Sequence, residues 1–100
     1  MAIVMNMVWE GVTPQQYDDL RTAAGWLEEP PVGGRIHVAA FDDGGVRITD
    51  VWDSAEELQA FVETRLMPAV QQVGIPGQPQ MEFLPLHELY VPKPDNVLTT

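Results

Sequence analysis

The sequence predicts an α+β domain in which two helices cover one face of a four-stranded antiparallel sheet. Three observations lead to this prediction. The chain has 100 residues, which is room for one modest hydrophobic core. Its apolar patterns alternate in the order strand, helix, strand, strand, helix, strand. The two middle strands are separated by a short run that is typical of a tight hairpin.

The first strand and the first helix follow each other directly. Residues 3–9 (IVMNMVW) are almost all apolar, which is typical of a strand buried on both faces. Residues 13–16 (TPQQ) then supply an N-cap, a proline at the first helical position and a glutamine at N3. The first helix should begin there and end near Gly25. Its apolar positions are Tyr17, Leu20, Ala23, Ala24 and Leu27.

The middle of the chain predicts a β-hairpin. Residues 35–41 and 46–52 are rich in strand-forming residues, and residues 42–45 (DDGG) tolerate the positive φ of tight turns. With a two-residue loop, antiparallel pairing places four cross-strand pairs on one face. These pairs are Phe41 with Val46, Ala39 with Ile48, His37 with Asp50 and Arg35 with Trp52.

The last third of the chain predicts a second helix and a final strand. Residues 54–57 (SAEE) form a capping box at the start of that helix. Pro68 predicts a kink or a break, with a short helical continuation beyond it. The last strand is predicted over residues 81–90, where Pro85 indicates an edge position or a bulge. One domain over residues 1–90 is expected, followed by an extended tail over residues 91–100.

This order of elements is the ferredoxin-like βαββαβ arrangement. Its two helices can cover only one face of the sheet, yet the first strand is apolar on both faces. The uncovered face therefore needs a partner, and a symmetric homodimer that pairs sheet with sheet would supply it.

Composition excludes several functions. Five basic and fifteen acidic side chains give a formal charge of -10, which would repel nucleic acid and anionic membranes. The chain has no cysteine and only two histidines, so we expect no metal site. No phosphate loop or flavin or nicotinamide fingerprint is present, so no cofactor is expected. No export signal or membrane span is indicated, and we expect a cytoplasmic protein.

Three segments carry a resemblance to a known superfamily. They are residues 41–45 (FDDGG), 50–61 (DVWDSAEELQAF) and 65–69 (RLMPA). The pattern resembles the dimeric α/β-barrel superfamily, and within it the small antibiotic-biosynthesis-monooxygenase-like proteins of actinobacteria. The resemblance covers most of residues 2–90. It implies a homodimer of ferredoxin-like chains, while activities in the superfamily range from cofactor-free monooxygenases and cyclases to haem-degrading oxygenases.

His37 and Asp50 are the first candidates for chemistry. As cross-strand neighbours on one face, they are close enough for the carboxylate to orient the imidazole and support its protonated form. Such a pair would act as a general base. The alternative is that both side chains face water at the sheet edge and form a weak ion pair.

Asn6 and Trp52 are candidate ligand-binding residues. Asn6 is the only polar residue of the first strand, and a buried amide needs a hydrogen-bond partner, either a ligand or the protein itself. The resemblance implies a pocket role for both, because relatives pair a Trp at the strand-to-helix junction with an Asn of the first strand. Packing at the helix–sheet interface is the alternative for Trp52. The axial histidine of haem-degrading relatives is missing, since residues 56–72 contain none.

His87 is a third candidate catalytic residue, because cyclase-type relatives project a histidine from the last strand. With Tyr17 or Tyr90 as a phenolic partner, His37 and His87 would abstract a proton from an activated phenol or polyketide-like ketone.

Two hypotheses for function follow from the sequence. The first is a cofactor-independent monooxygenase or cyclase that acts on an aromatic or polyketide-like molecule between sheet and helices. The second is a non-catalytic dimer that binds a small ligand or another protein.

Overall fold

The computed structural model describes residues 1–99 and has the predicted ferredoxin-like order βαββαβ. Its strands are β1 (Ile3–Glu10), β2 (Gly34–Asp42), β3 (Gly45–Trp52) and β4 (Gln80–Pro85). Its helices are α1 (Pro14–Ala24), α2 (Ala55–Phe61) and α3 (Met67–Val73), with a π-helical segment (Val62–Leu66) between the last two. No helix within residues 1–99 is long and apolar enough to cross a membrane.

All four strands form one antiparallel sheet in the order β2-β3-β1-β4. The apolar strand β1 is therefore central, as its sequence predicts. Alternation along the strands gives the sheet two different faces. The covered face packs against the helices and carries the main hydrophobic core, whose buried members include Met5, Met7, Trp9, Leu20, Val46, Ile48, Trp52, Leu58 and Val70.

The other face, which we call the open face, has no helix against it. Cross-strand partners form an apolar row over all four strands there. This row consists of Ile36, Val51, Val4 and Leu84. Leu84 is 46% exposed, Val4 and Ile36 are half-buried and Val51 is 5% exposed. Apolar side chains are therefore present on both faces of the sheet, and the helices cover only one of them.

The β2–β3 hairpin has the predicted register at three of its four pairs, including His37 with Asp50. The fourth pair is wrong. Gly34 stands opposite Trp52 because an irregularity between Gly34 and Ile36 displaces Arg35 from the ladder. Displaced in this way, the Arg35 side chain forms an ion pair with Asp53 instead.

The hairpin turn is closed by a side chain as well as by glycines. The Asp42 carboxylate accepts hydrogen bonds from the backbone N–H groups of Gly44 and Gly45, at 2.8 and 3.0 Å. Of the DDGG residues only Gly45 has a positive φ, of 154°. A Cβ at Gly45 would lie 2.3 Å from the Trp9 carbonyl oxygen. The close approach of β1 therefore requires glycine at this position.

The helices begin and end close to the predicted positions. Helix α1 has the complete capping box of Thr13 and Gln16, and it ends at Gly25, whose φ of 68° is left-handed. Leu27 lies beyond this end and is 45% exposed, so its assignment to the helical stripe is wrong. Ahead of Pro68 the second helix widens into the π-helical segment, because proline offers no N–H to the carbonyl one turn earlier.

The last strand is shorter than predicted. It ends at Pro85, since proline cannot donate to the ladder, and β4 is an edge strand as Pro85 indicated. Leu86 N–H still bonds to the Ala2 carbonyl, but residues 86–99 contain no helix or strand. His87 therefore lies outside the sheet, contrary to its predicted place on the last strand. Of the predicted tail, Thr100 lies outside the described residues.

Candidate functional site

Asp50 is the one charged residue that is buried in the described part of the chain, with 7% of its surface exposed. It lies on β3 and points to the covered face, opposite His37 on the edge strand β2. Asp50 Oδ1 is 2.7 Å from His37 Nδ1. The structure therefore brings these two predicted residues into direct contact and buries the carboxylate, which excludes the water-facing alternative for Asp50.

The second oxygen of this carboxylate is also bound. Trp52 Nε1–H donates to Asp50 Oδ2 at 3.1 Å, and Trp52 is itself 4% exposed. The two residues meet because positions i and i+2 of a strand share a face. With one donor on each oxygen, the Asp50 carboxylate has little freedom to rotate.

Tyr17 completes the group from the helix side. Its hydroxyl oxygen is 2.7 Å from His37 Nε2. An ionised carboxylate only accepts hydrogen bonds, so His37 Nδ1 carries the proton that points to Asp50. When the ring is neutral, Nε2 is an acceptor and the Tyr17 hydroxyl donates to it. We call this connected set, Asp50, His37 and Tyr17, the proton chain.

The local sequence fixes the position of Tyr17. The Thr13 side chain accepts from Gln16 N–H at 3.1 Å, and the Gln16 side chain accepts from Thr13 N–H at 2.9 Å. These bonds set the first turn of α1, and Tyr17 is the next residue. Its phenol therefore lies over the edge of the sheet, where His37 stands on β2.

Two more aromatic rings surround the outer half of the proton chain. The Tyr17 and His37 rings lie side by side and nearly parallel, with centroids 6.0 Å apart. The Trp26 ring lies 5.1 Å from the His37 ring, and the Phe41 ring lies edge-on to Tyr17 at 6.0 Å. Since Phe41 is 38% exposed and the His37 side chain 33%, this cluster reaches the surface while Asp50 stays inside.

Burial also changes the acidity of the phenol. It raises the pKa of Tyr17 to about 12, with the nearby Asp50 carboxylate adding to the effect and Arg21 opposing it. Tyr17 therefore keeps its proton at neutral pH and acts as a hydrogen-bond donor to His37.

Asn6 belongs to the other face. Thr49 Oγ1 donates to Asn6 Oδ1 at 2.9 Å, and Asn6 Nδ2 donates to Glu82 at 3.3 Å. Asn6 is thus satisfied by the protein on the open face, while Trp52 points to the covered face. The predicted pairing of Asn6 with Trp52 in one pocket is wrong, because their side chains point to opposite faces of the sheet.

His87 is also absent from this group. It is exposed and follows the end of β4, the edge strand opposite to β2. Three strand spacings, about 14 Å, separate those two edges. Tyr90 is 78% exposed. The predicted set of His37 with His87 is therefore not formed, and Tyr17 alone supplies the phenolic partner of His37.

Two surface grooves lie away from the proton chain. One surface groove of about 410 Å³ lies between α1 and α3, and another of about 340 Å³ lies beside residues 29–32 and the π-helical segment. Neither is lined by Tyr17, His37 or Asp50. Within residues 1–99 no cluster of three His, Cys, Asp or Glu side chains fits a metal ion.

Fold and geometry together define a ferredoxin-like protein with a carboxylate–imidazole–phenol chain at the edge of its covered face. No protein-family model matches the sequence, and no curated protein matches it either. Comparison with solved structures identifies the fold more closely.

Three solved structures illustrate this likeness. SnoaB from Streptomyces nogalater, described as a cofactor-independent oxygenase, has a TM-score of 0.64 at 9% identity, over 92% of this chain and 97% of SnoaB. A dimeric ferredoxin-like protein of unknown function from Thermobifida fusca has a TM-score of 0.62 at 14% identity, over 86% and 92%. The ActVA-Orf6 monooxygenase of Streptomyces coelicolor, in complex with nanaomycin D, has a TM-score of 0.57 at 16% identity, over 92% of both chains.

The chain therefore has the fold of the antibiotic-biosynthesis-monooxygenase-like proteins, as its sequence resemblance implied. These identities establish the fold, and chemistry has to be argued from the side chains.

Sequence reasoning missed two features of the site. The bond from Trp52 to Asp50 was detectable, because the two residues lie two apart on one strand and so share a face. The contact of Trp26 with His37 had no such signal. Trp26 follows the helix-ending Gly25 in an irregular loop, where periodicity does not fix the direction of a side chain.

Proposed function

We propose that this protein is a cofactor-independent enzyme of the oxygenase or cyclase kind, which removes a proton from a neutral aromatic or polyketide-like molecule. The contact that carries this proposal is the 2.7 Å hydrogen bond between His37 and the buried Asp50. The fold shared with SnoaB and ActVA-Orf6 supports the general kind of activity.

His37 is the general base in this proposal. When it takes up a proton it becomes an imidazolium, and the Asp50 carboxylate at its Nδ1 stabilises that charge. Asp50 is a positioning residue, and Trp52 holds its second oxygen. Removal of the substrate proton leaves an enolate or phenolate, whose electron-rich carbon reacts with dioxygen in an oxygenase or with an internal carbonyl in a cyclase.

The surroundings favour a flat and uncharged substrate. Trp26 and Phe41 offer ring edges beside the Tyr17 phenol, to which another aromatic ring can pack. The net charge of -10 disfavours phosphorylated or carboxylated molecules.

A homodimer through the open face is the second part of this proposal. The apolar row of Ile36, Val51, Val4 and Leu84 is a self-complementary surface for a two-fold axis. The dimeric ferredoxin-like neighbour from Thermobifida fusca supports this assembly.

Dioxygen uptake with dithranol tests the proposed activity. Dithranol is a dihydroxyanthrone with an acidic CH₂ group, and one dioxygen converts that group to a quinone carbonyl with release of one water. We expect the protein to accelerate this uptake and His37→Gln to lower kcat by about 10²–10⁴-fold. His87→Gln is the matched control, because it makes the same change at an exposed position outside the sheet.

Two outcomes would contradict the proposal. One is equal rates for wild type and His37→Gln, and the other is uptake no faster than in buffer. Circular dichroism of both variants verifies that each retains its fold.

A non-catalytic ligand-binding dimer is the second candidate. The observation in its favour is that Trp52 packs on Phe61 at 5.6 Å between the sheet and the second helix, where a substrate was expected to bind. Uptake no faster than in buffer, together with a small molecule retained in native mass spectrometry, would support this candidate instead.

A further inference from the structure

The lone pair of the proposed base is already occupied. His37 Nδ1 faces Asp50, and Nε2 lies 2.7 Å from the Tyr17 hydroxyl oxygen, which donates to it when the ring is neutral. A substrate can therefore reach Nε2 only if the Tyr17 ring moves away, or it can deliver its proton through the hydroxyl. The structure distinguishes these routes by how firmly Tyr17 is held.

Tyr17 is held on several sides. Its ring lies side by side with the His37 ring at an interplanar angle of 6°, and Trp26 and Phe41 contact it edge-on. Its backbone belongs to α1 directly after the capping box. Moving the ring aside would break these aromatic contacts together with the hydrogen bond to His37.

We propose that the Tyr17 hydroxyl is the catalytic group that touches the substrate and that His37 acts through it as the end of the proton chain. This inference rests on the proposed function and deepens it, because it names the contacting atom. It also names the substrate group, which is a phenolic or enolic O–H that donates to Tyr17 Oη.

Atoms and charges balance in this step. The substrate O–H bond breaks and its proton forms a new bond to Tyr17 Oη. The phenolic proton of Tyr17 passes at the same time to His37 Nε2. The products are a substrate oxyanion, a neutral Tyr17 and an imidazolium paired with the Asp50 carboxylate.

The acidity of Tyr17 suits this role. Burial raises its pKa to about 12, so the phenol holds a proton to transfer at neutral pH. The charged groups near it are Asp50 on β3 and Asp18 and Arg21 on α1. Tyr17 therefore releases its phenolic proton to His37 only when it receives a proton from the substrate.

The two routes make opposite predictions for Tyr17→Phe. This variant keeps the ring and its packing but removes the hydroxyl. If the proton passes through Tyr17, the variant loses base catalysis by about a hundredfold. If His37 acts directly, the variant frees Nε2, and its activity stays equal or rises.

The experiment uses para-nitrophenol as the probe, because its colour reports ionisation without turnover. Wild-type protein at neutral pH should increase the phenolate absorbance of the bound probe. Tyr17→Phe should abolish that increase. Tyr90→Phe should leave it unchanged, because Tyr90 is the only other tyrosine and is 78% exposed.

Two results would overturn the inference. One is ionisation of the probe by Tyr17→Phe at the wild-type level, which would make His37 the contacting base. The other is no spectral change with saturating wild-type protein. Because this readout needs no dioxygen and no product, its failure is separable from failure of the dithranol assay.

Discussion

Two neighbouring rows of side chains run across the same sheet but face opposite ways. The row on the covered face is His37, Asp50, Met5 and Phe83. The row on the open face is Val38, Thr49, Asn6 and Glu82. Each contains hydrogen-bonded polar groups, yet their geometry differs. Asp50 is buried with a donor on each oxygen, whereas the longest bond of the open-face group, from Asn6 to Glu82, is exposed at 3.3 Å.

This difference shows that burial, more than residue type, fixes the geometry of a polar group. On the open face water can replace any partner of Asn6, so its hydrogen bonds constrain little. On the covered face water does not replace the partners of Asp50. Loss of a partner would leave a buried charge without a hydrogen bond in an apolar environment. A fixed proton-transfer geometry is therefore expected on the covered face only.

A charge placed in the apolar row of the open face should have the largest effect. Val4→Lys puts an ammonium into the apolar row, and a two-fold axis would bury it twice. We expect the proposed dimer to weaken by about 3 kcal/mol, or about a hundredfold in dissociation constant. Native mass spectrometry at matched concentrations measures this change.

The matched control for that experiment is Val32→Lys. It adds the same charge at a loop residue that is 79% exposed and lies outside the sheet. A Val4→Lys protein that remains as dimeric as Val32→Lys would show that copies of the chain meet through another surface.

Truncating one polar side chain in each row measures the contrast within the folded chain. Asp50→Ala leaves His37 Nδ1 and Trp52 Nε1 without their acceptor, and we expect a loss of about 1–3 kcal/mol in the free energy of unfolding. Asn6→Ala should cost only about 0.5–1.5 kcal/mol, because Thr49 and Glu82 can bond to water. Urea unfolding compares the two variants. Equal losses would contradict the argument from burial.

Most of the fold could be predicted from local chemistry. The TPQQ cap and the apolar β1 segment are determined by local sequence and are present as predicted. The DDGG hairpin has its predicted pairing register, but its two loop residues lack the positive φ that was expected of them. The positions that were predicted wrongly depend on how the strands pair with each other. A one-residue irregularity beside Gly34 removed Arg35 from its pair, and Pro85 ended β4 five residues early. A single proline does not reveal whether it ends a strand or only marks its edge.

The site was predictable only within one hairpin. His37 and Asp50 follow from pairing register, which a short turn sets. Their contacts with Tyr17 and Trp26 depend on how α1 and its loop cross the sheet, and spacing in sequence does not give that direction. The prediction for His87 was wrong for a different reason, because its position depends on where β4 ends.

The alkaline titration of the two tyrosines gives the most specific effect. Burial raises the pKa of Tyr17 to about 12 from 10.0 in the unfolded chain. The folded protein therefore retains the phenolic proton in a range of pH where the unfolded chain has released it. The stability from this group is complete below about pH 10 and is lost as the pH rises towards 12.

Urea unfolding from neutral pH to about pH 11 should reveal this loss as a difference between variants. Wild type should lose stability above about pH 10 relative to Tyr17→Phe, while Tyr90→Phe should fall in parallel with wild type. If Tyr90→Phe instead removes the alkaline loss, the exposed phenol carries it. Tyr17 would then be as accessible to water as the open-face residue Glu82. The proton chain would lack the burial that distinguishes the covered face from the open face.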